Sequence, residues 1–224
     1  MKTNAITTRV DEIVAALRAD TGELDFDPQM ARVFIQVLRT LARGTPVSPL
    51  QVTQIAKDFD LPDGQANATL DWMAEKNENG DIVGLAGLSL NEWSHKYKVN
   101  GQELSTWCAL DTLYLTPLLK QATEVESLDP VTQERIKISL SPEGVLEYLP
   151  KSAVLSIVIP KVDVKGLQSA EQIWTAFCNY SLFFTTVETA RQWFRGKKVE
   201  PVLLSIKEGF ELGRKWFEKV RKYA

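Results

Sequence analysis

Apolar residues recur at helical spacing through the first third of the chain. Val10, Ile13, Val14 and Leu17 share one stripe, with Thr7 or Thr8 placed to cap it, which predicts a helix over 7–18. Asp27-Pro28 opens a second helix running to Arg43, with Met30, Val33, Phe34, Val37, Leu38 and Leu41 on one stripe and Gly44 as its stop. Ser48-Pro49 opens a third that ends near Phe59, and Leu61-Pro62 leads into a fourth over 63–75. The last two form a helix-turn-helix arrangement, so residues 1–77 read as a helical, winged-helix-like lobe.

After Lys76 the period changes. Asn79-Gly80 and Asn100-Gly101 are two-residue hairpin turns flanked by strand-like residues. Strands are predicted near 81–88, 96–99 and 102–105, followed by a helix over 107–119 through Leu110, Leu113 and Tyr114. Further strands are expected at 122–127, 134–140, 153–159, 177–184 and 201–205, with short helices at 169–175 and 187–195 and a closing helix over 207–222. Residues 78–224 therefore read as an α+β lobe with a mostly antiparallel sheet and flanking helices.

With 224 residues, 44% of them hydrophobic, and a mean hydropathy of −0.15, the chain can bury a core without disulfides or a structural metal. Its 26 basic and 29 acidic side chains give a formal charge of −3 and a pI near 5.4, with no overall attraction to phosphate backbones or anionic lipid. The helical lobe carries eight basic against eleven acidic residues, a net of −3 and the wrong footprint for a DNA-binding regulator. No nucleic-acid or membrane partner is expected. The longest strongly apolar stretch, 153–159, is far short of the roughly 20 residues that cross a bilayer. Arg9, Asp11 and Glu12 interrupt any leader-like apolar segment, so a cytoplasmic location is expected. In a reducing compartment Cys108 and Cys178, 70 residues apart, are thiols, and their spacing matches no zinc motif.

Several familiar chemistries lack their residues. His95 is the only histidine and no GxSxG, GxxxxGK[ST], GxGxxG or HExxH accompanies it, which leaves it as a structural or solvent-facing side chain in a hairpin strand. What remains is Ser105-Thr106-Trp107-Cys108-Ala109-Leu110-Asp111-Thr112-Leu113. If this starts a helix, Cys108 and Asp111 share a face and Cys108 lies in the first turn, where the dipole favours a thiolate over the ordinary thiol pKa of about 8.5. A carboxylate beside a thiol disfavours the thiolate unless the acid receives the thiol proton. Spacing alone does not decide between such a pair and an inert buried cysteine beside a surface aspartate.

The heptapeptide Trp107-Cys108-Ala109-Leu110-Asp111-Thr112-Leu113 resembles the active-site segment of bacterial organomercurial lyases, the alkylmercury lyases. Ala176-Phe177-Cys178 before Phe183-Phe184 resembles the family's second catalytic cysteine segment. Gly44-Thr45-Pro46-Val47-Ser48, Asn79-Gly80-Asp81-Ile82-Val83-Gly84 and Leu88-Ser89-Leu90 follow its pattern in order and spacing, so the resemblance spans roughly residues 30–220. Asn179 stands where a neighbouring cysteine occurs in some members, and 120–140 contains no cysteine.

The resemblance implies Cys108, Cys178 and Asp111 as the mercury site, with the two cysteines as ligands and Asp111 also as proton carrier. The implied reaction is cleavage of an organomercurial to RH and bound Hg(II). Mercury is soft and prefers thiolate to oxygen or nitrogen, which suits two cysteines without a histidine. An aspartate at its ordinary pKa of about 3.9 is roughly 99.9% ionised at pH 7, so populating the acid costs about 4 kcal/mol unless its pocket is dry. A carboxylate that takes a cysteine proton and passes it to carbon avoids that cost. Trp107, Trp174, Phe177, Tyr180, Phe183 and Phe184 are available to line an apolar pocket. No organic cofactor is implied; small thiols such as glutathione would strip the Hg(II), and mercuric reductase is the implied partner in mercury resistance. The alternative is a protein that captures or senses soft metal without cleaving, which would need sulfur but no proton donor.

Overall fold

The computed structural model describes residues 2–21, 26–159 and 169–224. Helices α1 (Lys2–Thr21), α2 (Pro28–Leu41), α3 (Pro49–Lys57) and α4 (Gln65–Asp71) come first. Local chemistry starts two of them. Asp27 accepts the Met30 N–H at 2.7 Å at the head of α2, and Ser48 and Gln51 form a reciprocal capping box on α3. The predicted α2 stripe is buried throughout, with Ala31 and Ile35 buried beside it. Val10, Ile13, Val14 and Leu17 pack α1 into the same core, and Arg9 reaches Glu208 at 3.0 Å across to the C-terminal helix.

Residues 74 and 75, expected as the end of the fourth helix, instead lie in strand β1 (Ala74–Lys76), paired with β2 (Ile82–Leu85). The Asn77 side-chain oxygen accepts the Asn79 and Asp81 N–H groups, which closes the hairpin and overrides helical periodicity. The predicted strand over 81–88 is broken by a turn at Ala86 and Gly87 into β2 and β3 (Leu88–Ser89). Strands β4 (His95–Val99) and β5 (Gln102–Thr106) meet at Asn100-Gly101, both in the left-handed region, as the hairpin signal requires. With β6 (Thr123–Leu128), β7 (Arg135–Ser141) and β8 (Gly144–Leu149) these form an antiparallel sheet of order β1-β2-β3-β5-β4-β6-β7-β8.

A second antiparallel sheet has the order β10-β9-β11, from β9 (Val154–Ile157), β10 (Phe183–Phe184) and β11 (Val202–Ser205). The strand expected over 177–184 is mostly absent: Cys178–Tyr180 is a 3₁₀ turn, closed by the Ser181 N–H on the Cys178 carbonyl at 3.0 Å. Helices α6 (Ala170–Ala176) and α7 (Val187–Phe194) lie where expected. The single closing helix divides at Phe217 into α8 (Ile206–Trp216) and α9 (Glu218–Arg221), and the Phe217 ring stacks on Tyr114 at 3.9 Å.

At the centre lies α5 (Ala109–Leu119), every residue of which is buried. It packs against α8, α2 and strands of both sheets. Burying each of its leucines contributes roughly 1.5–3 kcal/mol, so this helix is held rigidly. Contact with α8 is close because Gly213 faces it: a Cβ there would lie 2.7 Å from Tyr114 Cβ. The first residues of this anchored helix are those that carry the candidate chemistry.

Candidate active site

Strand β5 ends at Thr106, and two residues later the chain turns into α5. Cys108 has extended backbone angles (φ −148°, ψ 170°) and is the N-cap of the helix, not a residue of its first turn as expected. The consequence for the sulfur is similar. It faces the Asp111 backbone N–H, while Asp111 Oδ2 accepts the Cys108 N–H at 2.8 Å in a reciprocal cap. Sulfur and carboxylate are thereby placed at the positive end of a rigid helix.

Cys178 arrives from the far side of the sequence on the 3₁₀ turn. Ser181, three residues on, docks that turn to α5: its carbonyl accepts the Ala109 N–H at 3.0 Å and its hydroxyl oxygen accepts the Leu110 N–H at 3.1 Å. Two N–H groups that a helix start leaves unpaired are thus satisfied by the second cysteine segment. The result brings the Cys108 and Cys178 sulfurs and an Asp111 oxygen within 4.8 Å of one another, among side chains that are 0%, 4% and 6% exposed respectively. Ser181 gave no signal in the sequence, since nothing about a lone serine marks it as the clamp between segments 70 residues apart.

Burial and charge divide the protons unequally. Burial pushes the Cys108 thiol up, but hydrogen bonds with Cys178, Ser181 and Asp111 outweigh it and bring the pKa down to about 7. Burial first, and then the negative Cys108 sulfur, hold the Asp111 carboxyl well above the ordinary carboxylate range. Cys178 is held well above an ordinary thiol by its hydrogen bond with Cys108 and by burial. The site therefore favours one thiolate, one thiol and a carboxyl able to hold a proton. Asp111 is only 6% exposed, so its carboxyl lies largely out of contact with solvent.

The aromatic side chains have divided roles. Phe183 and Phe184 are fully buried core, and Phe177 packs edge-on against Trp216 at 5.6 Å. Tyr180 packs against Trp193 and Phe194. Trp107 donates its ring N–H to Glu75 at 3.1 Å, and Trp93 bridges Trp107 and Trp174 with centroids 6.5 and 6.0 Å away. His95 is buried, bonded to Ser127 at 2.8 Å and held down to about pKa 4 by burial, so it is neutral and structural.

A family model described as MerB, alkylmercury lyase, matches residues 88–218, more than half of the chain and all three converging residues. The alkylmercury lyase of Bacillus cereus is 32% identical over 212 residues, 92% of this chain and 90% of that protein. The chain belongs to the alkylmercury lyase family. The alkylmercury lyases of Streptomyces lividans and Pseudomonas putida are 35% and 33% identical, over 80% and 74% of this chain and 78% and 74% of their own lengths. A crystal structure of the mercury-bound form of MerB2 aligns with a TM-score of 0.69 at 19% identity, over 96% of this chain and 98% of that one, which shows the shared fold. Among the described residues no helix is long and apolar enough to cross a membrane.

For an alkylmercury lyase with this geometry a pH dependence follows. If the Cys108 thiol, brought down to about pKa 7, is the group that captures mercury, capture of an organomercurial is expected to rise with pH through about 7 and then level off. At pH 6 the capture rate should be about tenfold below the plateau, the fall expected of a single group titrating near 7. Stopped-flow uptake of an arylmercurial between pH 5.5 and 9 checks this; a flat profile would contradict a thiolate as the capturing group.

Proposed function

We propose that the protein cleaves the carbon–mercury bond of alkyl- and arylmercury by protonolysis, releasing RH and leaving Hg(II) on two cysteine sulfurs. The observation that carries this reading is the convergence of two sulfurs and one carboxyl oxygen within 4.8 Å in a nearly dry site. Capture alone would be served by the sulfurs. A buried carboxyl beside them is costly to retain unless it handles a proton.

The steps balance in atoms and charge. The Cys108 thiolate binds the mercury of R–Hg⁺, and the Cys178 thiol then binds the same atom and gives up its proton. Adding sulfur donors places electron density on mercury and makes the attached carbon more basic. Asp111 carries the Cys178 proton to that carbon, the C–Hg bond breaks as C–H forms, and Hg(II) remains between the sulfurs. One thiolate, one thiol and R–Hg⁺ thus become RH and a neutral dithiolate, with Asp111 unchanged. Burial supports the relay, because exclusion of water strengthens the field of the sulfurs and lets an aspartate hold the proton in transit.

Small thiols would then strip the Hg(II) from the site by exchange, and mercuric reductase in the cytoplasm would consume it. No organic cofactor takes part in this scheme. Incubating the reduced protein with methylmercury and excess glutathione is expected to release methane over many turnovers, read by gas chromatography. Stoichiometric mercury binding without methane would favour capture over cleavage.

A further inference from the structure

The β2–β3 turn lies directly over the Asp111 carboxyl. Its two central residues, Ala86 and Gly87, both adopt positive φ (+45° and +90°), and the strands close around them at Leu85 and Leu88. A Cβ on Gly87 would lie 2.3 Å from Asp111 Cγ and 2.5 and 2.7 Å from its two oxygens, so no side chain fits there with the carboxyl in place. The turn is fastened independently of Asp111. The Ala86 N–H donates to the Met73 carbonyl at 3.1 Å, the Trp107 N–H donates to the Gly87 carbonyl at 2.9 Å, and the Tyr114 hydroxyl donates to the Ala86 carbonyl. Tyr114 is itself held by its stack on Phe217 and by the close approach of Gly213.

We infer that Gly87 and Tyr114 are positioning residues for the proton-carrying step: they press a backbone wall against Asp111 and hold its carboxyl beside the two sulfurs. One face of the carboxyl accepts the Cys108 N–H, and the turn occupies the space into which it would otherwise rotate. The carboxyl is thereby confined to the few ångströms in which it can exchange a proton with sulfur and pass it to carbon. The inference rests on the reading of Asp111 as proton carrier, and it makes the fit between turn and carboxyl a requirement of cleavage but not of capture.

The first test compares capture with release. In single-turnover experiments with an arylmercurial, Gly87→Ala is expected to bind mercury like the parent and release hydrocarbon about 10²-fold more slowly, the cost typical of an ångström-scale misplacement. Tyr114→Phe keeps the ring stack, removes only the hydroxyl that fastens Ala86, and is expected to lower release without changing capture. Parental release in both variants would overturn the inference.

A second test reads the contact without activity. Gly87→Ala carries backbone strain in any background, but the clash with the carboxyl disappears in Asp111→Ala. Its Tm loss should therefore be smaller in Asp111→Ala than in the parent, and equal losses would overturn the inference. A parent that releases no hydrocarbon would refute the proposed reaction, while this coupling would still report whether Gly87 sets the Asp111 position.

Discussion

Cys108→Ser and Cys178→Ser are each expected to fold like the parent and to release no detectable hydrocarbon from methylmercury in excess thiol. Serine is close in size to cysteine, so the packing of a fully buried side chain changes little, and circular dichroism and Tm should confirm this. The chemistry changes greatly, because a hydroxyl stays protonated and offers mercury a hard oxygen in place of a soft sulfur. The two variants should differ before that common end point. Cys108 is the low-pKa sulfur, so Cys108→Ser should lose rapid capture, whereas Cys178→Ser should retain capture on one sulfur and fail afterwards. Mercury retained on the desalted protein, measured beside evolved methane, separates the two. Sustained methane release by either variant would show that one sulfur is enough to activate the carbon.

How much of this site could be read in advance depended on whether the information was local. The heptad-like stripe of α2, the Asn100-Gly101 turn and the i, i+3 spacing of Cys108 and Asp111 are properties of neighbouring residues, and each is found in the structure. Strand β8 gave no usable pattern, because this edge strand has no fully buried residue and leaves Leu146 and Leu149 exposed, so alternation has no buried face to enforce it. Residues 74–76 are strand only because β2 pairs with them. The meeting of Cys178 with Cys108, the Ser181 clamp and the Gly87 wall all depend on contacts between distant segments. Residue types and spacing leave an inert cysteine open, and the chemistry is implied by the resemblance of the two cysteine segments to a known family; placement required the tertiary structure.

The carboxyl provides the sharper separation of roles. Asp111→Asn preserves size, and its side-chain carbonyl can still accept the Cys108 N–H that Asp111 Oδ2 accepts at 2.8 Å, so the helix start and both sulfurs should stay in place. An amide cannot accept the Cys178 proton and return it to carbon. Organomercury capture is therefore expected to survive while hydrocarbon release falls by about 10²- to 10⁴-fold, the usual cost of losing a general acid or base. The magnitude is meaningful because the parent does not meet the roughly 4 kcal/mol needed to protonate an aspartate in bulk water at pH 7. Burial, and then the adjacent sulfur, raise the Asp111 pKa well above its ordinary value, which lowers the cost of holding a proton there. On the proposed mechanism the substitution removes the proton carrier and leaves the two sulfurs untouched. Binding and release must be measured on the same folded sample, with an arylmercurial whose product is detected directly. Release near the parental rate would mean that Asp111 carries no proton, and that carbon receives it from Cys178 or from water.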